Sequence, residues 1–385
     1  MRCEHLGLTN FRNYARLELD LAPGVTVLQG DNAQGKSNLL DAIHIIATTR
    51  SSRGSAEREW INWLAFESPV PFARIVAKVH RASSVLQVEM NAALAENGVG
   101  ITKRIKVNGA PRRSVDVIGL VTVVLFSPDD IELISGSPGQ RRRYLDIMNA
   151  QVDGMYLRSL QQYNRAMMQR NSLLRLVRDH QAKPDQLGYW DHQLAELGAY
   201  IVDRRRESVE ALNALAQDLH PALTGLQEEL QVTYRPNLAS ALTDEALPPP
   251  SELTGALLSA IQAARGREIA QGVSLVGPHR DDLVFRTDGV DTTVYGSRGQ
   301  QRTAALALKL AEAQFIQQRT GDQPILLLDD VMSELDLRRR RQVLATIQSE
   351  QQVLVTATDL EDFEPGFLER STILRVRAGR IEKAH

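Results

Sequence analysis

Two short stretches that need each other lie almost a whole chain apart. Gly30-Asp31-Asn32-Ala33-Gln34-Gly35-Lys36-Ser37 fits G-x-x-x-x-G-K-[ST], and it stands between the strand-like VTVLQ and the apolar helical stretch NLLDAIHII. In that setting successive backbone N–H groups wrap phosphates, Lys36 reaches the β and γ oxygens, and the Ser37 hydroxyl is placed to ligate Mg²⁺. Such a loop requires a carboxylate at the end of a buried neighbouring strand. ILLLDD supplies one: Ile325 to Leu328 form an unbroken apolar run, as a strand covered on both faces does, and Asp329-Asp330 close it. Two acids at a buried strand end are costly unless a cation or a water is handled there, so Asp329 is assigned to Mg²⁺ and Asp330 to polarising the attacking water. The roughly 290 residues between Lys36 and Asp329 cannot be a loop. One ATP site is therefore expected to be assembled from the two ends of the chain, with a lobe inserted between them.

The pattern along the chain agrees. Residues 2–8, 15–21 and VTVLQ read as strands, and PFARIVAKVH, SVLQVEM and KRIKVNG continue as an antiparallel layer between about 70 and 126, with Asn108-Gly109 as a hairpin turn. From about 129 to 220 apolar residues recur at three- and four-residue steps, as at Leu194, Leu197, Ile201 and Val209, Leu212, Leu215, which predicts helices of about 30 residues. ALPPPSEL breaks that pattern as a connector, after which strands LVFRTD, ILLL, QVLVTAT and TILRVRAG alternate with helices. The expected fold class is α/β. Residues 1–128 form the N-terminal part of a head, 129–270 an inserted α-helical lobe, and 271–385 the C-terminal part of the head.

Composition sets limits rather than a function. The formal charge is -2, so attraction to nucleic acid has to come from local clusters. The single cysteine, Cys3, allows no internal disulfide, and the polar start MRCEHLGLTN lacks the apolar core of a signal peptide, so the cytoplasm is the expected compartment. Apolar runs such as VTVVLF are strand-sized, so no membrane span is expected.

Further motifs give a resemblance. Ser297-Arg298-Gly299-Gln300 leads a helix just upstream of the acidic strand, in the place of the Ser-Gly-Gly-Gln-like turn of ABC-type ATPases. Ser333-Glu334-Leu335-Asp336 resembles the D-loop, and Thr356 or Thr358 stands at the switch position. With PDDIELISGSPGQRRRYLD, GPHRDD and the opening NFRNY, essentially the whole chain resembles the RecF family of DNA-repair ATPases. The resemblance implies an ABC-type ATPase head with an inserted helical lobe. It further implies ATP and Mg²⁺ as ligands and ATP-dependent homodimers around double- and single-stranded DNA at gaps or junctions. Recombinational repair, replication restart and the SOS response are the implied roles, and the mediators RecO and RecR the implied partners. Ser297, Gly299, Gln300 and Asp336 would then meet the nucleotide held by a second copy. The chain departs from many ABC-type enzymes in having Asp330 where Glu is common. One missing methylene sets the carboxylate back by about 1.5 Å, so hydrolysis is expected to be slow. No Q-loop is evident.

Ser135-Gly136-Ser137-Pro138-Gly139-Gln140 matches the Ser-Gly-Gly-Gln turn better by letters, but only the later turn stands one helix away from Asp329. Arginines cluster at 112–113, 141–143, 204–206 and 338–341; Arg112, Arg113, Arg141, Arg142 and Arg143 are the candidates for DNA, through backbone phosphates rather than bases. Arg50 and Arg53 in TTRSSRG read equally as reaching a phosphate or a partner, or as a surface loop. GPHRDD holds one histidine beside two acids, a weak metal set, and reads as a structural turn. Two other function classes share a P-loop head: the ATPase subunit of a transporter, which needs a membrane partner, and an ATP-regulated nuclease, which needs its own acidic metal cluster.

Overall fold

A computed structural model describes residues 1–385 apart from 54–55, 96–99, 226–227, 239–247, 336, 347–350 and 384–385. In chain order its strands are β1 (Arg2–Phe11), β2 (Tyr14–Asp20), β3 (Val25–Gln29), β4 (Phe72–His80), β5 (Val85–Leu94), β6 (Ile101–Val107), β7 (Ala110–Arg112), β8 (Val123–Phe126), β9 (Leu230–Arg235), β10 (Asp282–Thr287), β11 (Val290–Asp291), β12 (Ile325–Leu328), β13 (Val353–Ala357), β14 (Thr372–Arg377) and β15 (Arg380–Lys383). The longer helices are α1 (Lys36–Thr48), α2 (Pro138–Val152), α3 (Gly154–Arg178), α4 (Leu187–Thr224), α5 (Pro250–Gln271), α6 (Arg298–Thr320) and α7 (Leu337–Thr346). Two compact units result: Met1–Asp130 with Leu219–Gln227 and Ala305–His385, and Ile131–Asp218 with Glu228–Ala304.

The first unit is built of two sheets with α1 between them. One sheet runs β2-β1-β4-β5-β6-β7 and is antiparallel throughout; the other runs β15-β14-β3-β13-β12-β8 and is parallel except for β14–β15. Leu39, Ile43 and Ile46 of α1 share one core with Leu6, Leu8 and Met90 of the first sheet and Ile325, Leu327 and Leu354 of the second. Eleven of the thirteen residues of α1 are buried: seven are apolar, and the four polar ones, Lys36, Asp41, His44 and Thr48, are hydrogen-bonded. Each such Leu or Ile contributes roughly 2 kcal/mol by leaving water.

Two details differ from the sequence-based expectation. VTVVLF does not join the antiparallel layer; Val123–Phe126 lies parallel to β12, from Ile325↔Val123 to Leu328↔Phe126. An unbroken apolar run suits a strand covered on both faces, and the antiparallel sheet has only one covered face. Nor is β12 the direct neighbour of β3, because β13 pairs with both. The hairpin expected at Asn108-Gly109 is present, with φ of 49° and 81°.

The second unit carries α2, α3, most of α4, α5 and a small sheet β11-β10-β9. Its helices are 15, 25, 38 and 22 residues long rather than uniformly near 30. Tyr163 and Ala166 of α3, Leu194 and Ile201 of α4, and Leu253, Leu257 and Ile261 of α5 form its core. The segment read as a connector lies partly outside the described residues, but Pro250 opens α5 rather than a loop, in the first-turn position where a missing N–H costs nothing. Residues 271–304, read from sequence with the head, pack in this unit because β10 pairs with β9 from Asp282↔Arg235 to Thr287↔Leu230.

Candidate nucleotide site

The glycine loop is clamped by two turns that the sequence does not place beside it. Asn13, in the NFRNY turn between β1 and β2, donates its side-chain N–H to Gln34 O at 2.9 Å and accepts from Asn38 Nδ2 at 2.9 Å. Tyr14 donates its hydroxyl to Gly35 O at 3.0 Å. From the β14–β15 turn, Gly379 N–H donates to Gln34 O at 3.0 Å and Ala378 N–H to Gln34 Oε1 at 2.7 Å. Gly35 has φ of 116°, and a Cβ there would stand 2.5 Å from Asn13 Nδ2. At Gly30 the limit is the close approach of β14, since a Cβ would stand 2.3 Å from Val376 O. Ala33 is held at φ 64°, a left-handed conformation costing about 1 kcal/mol or more. Asp31, Asn32 and Ala33 are exposed at the loop tip, and Ser37 is half-buried at the start of α1.

Lys36 is buried, and its amine donates to Gly30 O and, at 3.1 Å, to Asp31 O. Burial lowers its pKa from the ordinary lysine value; the charges of Asp330, Asp329, Asp31 and Asp359 act against that, in that order. The carboxylates from the far end of the sequence are thus brought to the loop lysine.

Asp329 and Asp330 are held by one hydroxyl. Thr356, on β13, accepts the Asp330 N–H at 2.7 Å and donates to Asp329 Oδ1 at 3.1 Å. Asp330 has φ of 55°, so the strand turns sharply there, and Ser333 donates to Asp330 O at 2.9 Å. Of the two threonines expected at the switch position, Thr356 is therefore tied to the acidic strand, and Thr358 lies just past β13. On the opposite side Asp329 N–H donates to Phe126 O at 2.9 Å. The segment after β8, beginning at Ser127, hence lies beside the acidic pair. Asp336 lies outside the described residues.

Arg53 extends over the site: its guanidinium is 3.5 Å from Asp329 Oδ2 and 3.5 Å from Asn38 Oδ1. Its loop is fixed from below by buried Asp41, which accepts from Arg12 at 2.6 Å and from Ser51 and Ser52. Arg50 is exposed, and its carbonyl accepts from Thr48.

In the second unit Ser297 caps α6. Its N–H donates to Gln300 Oε1 at 3.0 Å, and Gln300 N–H donates back to Ser297 Oγ at 3.2 Å, a reciprocal capping box. Ser137 and Gln140 build the same box at the start of α2, so local chemistry does not separate the two turns. The glycines differ in purpose. A Cβ on Gly296 would stand 2.5 Å from Thr292 O, whereas one on Gly299 would meet nothing nearer than Ser297 Oγ at 3.9 Å.

The chain as a whole is similar to known proteins. The family model of the RecF/RecN/SMC N-terminal domain fits residues 2–380. The DNA replication and repair protein RecF of Chloroflexus aggregans is 45% identical over 393 residues, covering 99% of each chain, and that of Roseiflexus castenholzii is 42% identical over 399 residues, covering 100% of each. The chain belongs to the RecF family. A solved structure of the recombination mediator protein RecF-ATPrS in the RecFOR pathway superposes with a TM-score of 0.87 at 32% identity, over 100% of this chain and 98% of that one. An Smc head bound to the C-terminal winged-helix domain of ScpA shares the fold alone, with a TM-score of 0.54 at 15% identity. The chain is thus an ATP-binding ATPase head of the RecF/SMC kind, and its function lies in DNA replication and repair. The transporter reading is not supported, and no described helix is long and apolar enough to cross a membrane.

In this RecF-family chain the linear arginine runs are mostly engaged within the protein. Arg141 is buried and forks onto Asp282 at 2.6 and 3.0 Å, so as placed it is not a DNA contact. Arg142, half-buried, donates to Asp281 O at 2.7 Å, and Arg143 is exposed. Arg113 forks onto Asp116 at 2.9 and 3.2 Å, leaving Arg112 exposed beside it. Arg204 and Arg206 pair with Asp203, Arg205 is buried, and Arg340 and Arg341 pair with Asp362 and Glu364. The GPHRDD turn is structural: Asp281 accepts from Arg205 at 3.2 Å, from Tyr234 and from Asn237 N–H at 2.7 Å, all inside the second unit. Sequence reasoning missed Asn13, Ala378 and Gly379 as supports of the loop. NFRNY was the visible signal for the first, while the others depend on sheet order.

Proposed function

We propose that ATP binding joins two copies of this chain around DNA at gaps or single-strand/double-strand junctions, and that slow, Mg²⁺-dependent, DNA-stimulated hydrolysis releases them. The observation that carries this is the contrast between two phosphate-type turns. The loop at 30–37 has its lysine, its hydroxyl and its carboxylates gathered about it, whereas the Ser297 turn is an exposed helix start with an open position at Gly299 and no lysine. Ser297, Gly299, Gln300 and Asp336 are assigned to the nucleotide held by Lys36 of a second copy.

The donors fit Mg²⁺. Ser37 and Asp329 offer hard oxygens, and the described residues contain no group of three His, Cys, Asp or Glu side chains placed as a cage, an arrangement suited to an ion shared with nucleotide phosphates. Bound there, Mg²⁺ neutralises charge on the phosphate oxygens. Lys36 holds those oxygens, Asp330 orients the attacking water and takes its proton, and Thr356 fixes the Asp329 carboxylate and the Asp330 peptide N–H. The short Asp330 side chain supports slow turnover. Relatives in the RecFOR pathway support RecO and RecR as partners.

Light scattering with saturating ATP tests the dimer. Asp330→Asn should accumulate as a dimer, while Ser297→Arg should bind ATP nearly normally and stay monomeric. A monomeric Asp330→Asn protein would remove the model, and a Ser297→Arg protein that fails to bind ATP would show that the turn is wrongly assigned.

A further inference from the structure

The arginine runs adjacent in sequence are largely paired, but arginines far apart in sequence are aligned by sheet register. In the antiparallel sheet Arg16 faces Thr9, Thr9 faces Arg74, Arg74 faces Asn91, and Asn91 faces Arg104. Directly opposed residues share a face. The alternate residues Leu8, Leu17, Ile75, Met90 and Ile105 are buried in the core, so the row Arg-Thr-Arg-Asn-Arg points outward. Arg16 and Arg104 are exposed and form no ion pair with a described residue. Arg74, 44% exposed, is steadied by a fork onto Glu89 at 3.1 and 3.2 Å.

The charges on this face are sorted. The row itself holds no carboxylate. On one side of it stand Phe72, Ala93 and Thr102, which are uncharged. On the other side stand Glu18, Gly7, Val76, Glu89 and Lys106, and beyond them Asp20, His5, Lys78 and Gln87. The acids Glu18 and Asp20 lie at the β2 corner, both within 3.0 Å of His5, so the excess positive charge lies on the row and on Lys106. A solvated antiparallel face needs polar residues but not this segregation.

We propose that this outer face binds the phosphodiester backbone of DNA through Arg16, Arg74 and Arg104, with Thr9 and Asn91 between them; the inference rests on the DNA-binding reading above. Four strand-to-strand steps of about 4.8 Å make the row about 20 Å long, which spans about six nucleotides of one strand at about 3.4 Å each. Guanidinium forks suit phosphate oxygens, and contacts to the phosphate backbone carry no sequence information.

The test compares Arg16→Ala/Arg104→Ala with Arg158→Ala/Arg165→Ala, which removes the same charge from exposed positions on α3. DNA binding of the full chain with ATP is measured on duplex and gapped oligonucleotides over a salt series, with nucleotide binding and melting followed in parallel. The row variant should lose about 1.8 from the slope of log affinity against log salt, and on the order of 50-fold in affinity near 0.1 M salt. The α3 variant should keep the wild-type slope, and Arg16→Lys/Arg104→Lys should recover most of it. If the wild-type protein binds DNA and the row variant matches the α3 variant, the row is wrong and the DNA reading stands. If the wild-type protein shows no salt-dependent binding, the DNA reading itself fails.

Discussion

The glycine loop at 30–37 and the GPHRDD turn at 277–282 share local features, although the sequence of the first reads as a phosphate site and that of the second as a structural turn. Each has a glycine at strongly positive φ, 116° at Gly35 and 122° at Gly277, followed by polar and charged side chains. They differ in what their polar groups have left to offer. At GPHRDD, His279 Nε2 lies 3.0 Å from Ser274 O and Nδ1 lies 2.8 Å from the Tyr163 hydroxyl; Asp281 has three donors and Asp282 takes the Arg141 fork. At the loop, Lys36 donates only to two carbonyls of its own loop, and its charge faces two carboxylates that a phosphate-bound cation would relieve. Chemistry-bearing residues mark a site when they keep unused capacity; fully satisfied, they hold a fold together.

The largest effect expected from this contrast is at the satisfied turn. Arg205 donates to Tyr156, to Pro278 O, to Asp281 and to Asp146, and is buried. Arg205→Met leaves those acceptors without their cation and should destabilise the second unit by about 3–5 kcal/mol. Urea unfolding measures that cost, and ATP affinity of the folded protein should stay within about threefold. A near-neutral Arg205→Met protein would mean that the turn is not the unit's keystone. Lys36→Met should act in the opposite way, lowering ATP affinity at least 100-fold in a fluorescent-nucleotide titration while leaving the unfolding midpoint near wild type, because the amine answers only two carbonyls.

Sequence reading found the loop, the acidic strand and the helix between the sheets because each is a contiguous pattern: a glycine spacing, an apolar run, a helix buried all round. It did not find the clamps. Asn13 and Ala378 meet the loop only through the placement of two hairpin turns; Thr356, one of the two switch candidates read from sequence, is singled out by the pairing of β13 with β12. The arginines show the same limit. In the run 204–206, Arg204 and Arg206 find acids within a turn and Arg205 finds Asp146 and Asp281, whereas Arg16, Arg74 and Arg104 gain their alignment from register. Helix α5 escaped because its opening prolines read as a break, although proline is at home in a first helical turn.

Acid separates the two regions as well. Burial lowers the His279 pKa to about 4, so the folded turn keeps a neutral imidazole while the unfolded chain takes a proton below the ordinary value of 6.5. The unfolded state then binds more protons, and this contribution to stability is lost as pH falls from 6.5 toward 4, by about 2 kcal/mol at pH 5. Asp130, in the first unit, titrates in the same window with the opposite sign, because burial raises its pKa to about 6 and the folded state takes up the proton first. The difference between wild type and His279→Asn therefore carries the test: the gap between their urea midpoints should narrow on going from pH 7 to pH 5. A constant gap would mean that His279 is solvated in the folded protein.

The smallest effect is expected where the loop region is itself partly satisfied. Thr356 is a buried hydroxyl that touches both members of the acidic pair, accepting from the Asp330 N–H and donating to Asp329. Thr356→Val keeps the shape of the strand and removes both bonds. Asp330, already held at φ 55°, loses the acceptor that fixes its peptide, and its carboxylate can drift by a fraction of an ångström. Drift of that size affects the attack of water more than the binding of nucleotide, so kcat should fall about tenfold with KM for ATP nearly unchanged. Thr356→Ser, which restores the hydroxyl, should recover most of the rate. A purely structural role predicts otherwise: Thr356→Val would lower the melting temperature and leave kcat as it was, and the hydroxyl would then belong with His279 and Arg205 among the groups that only hold the fold.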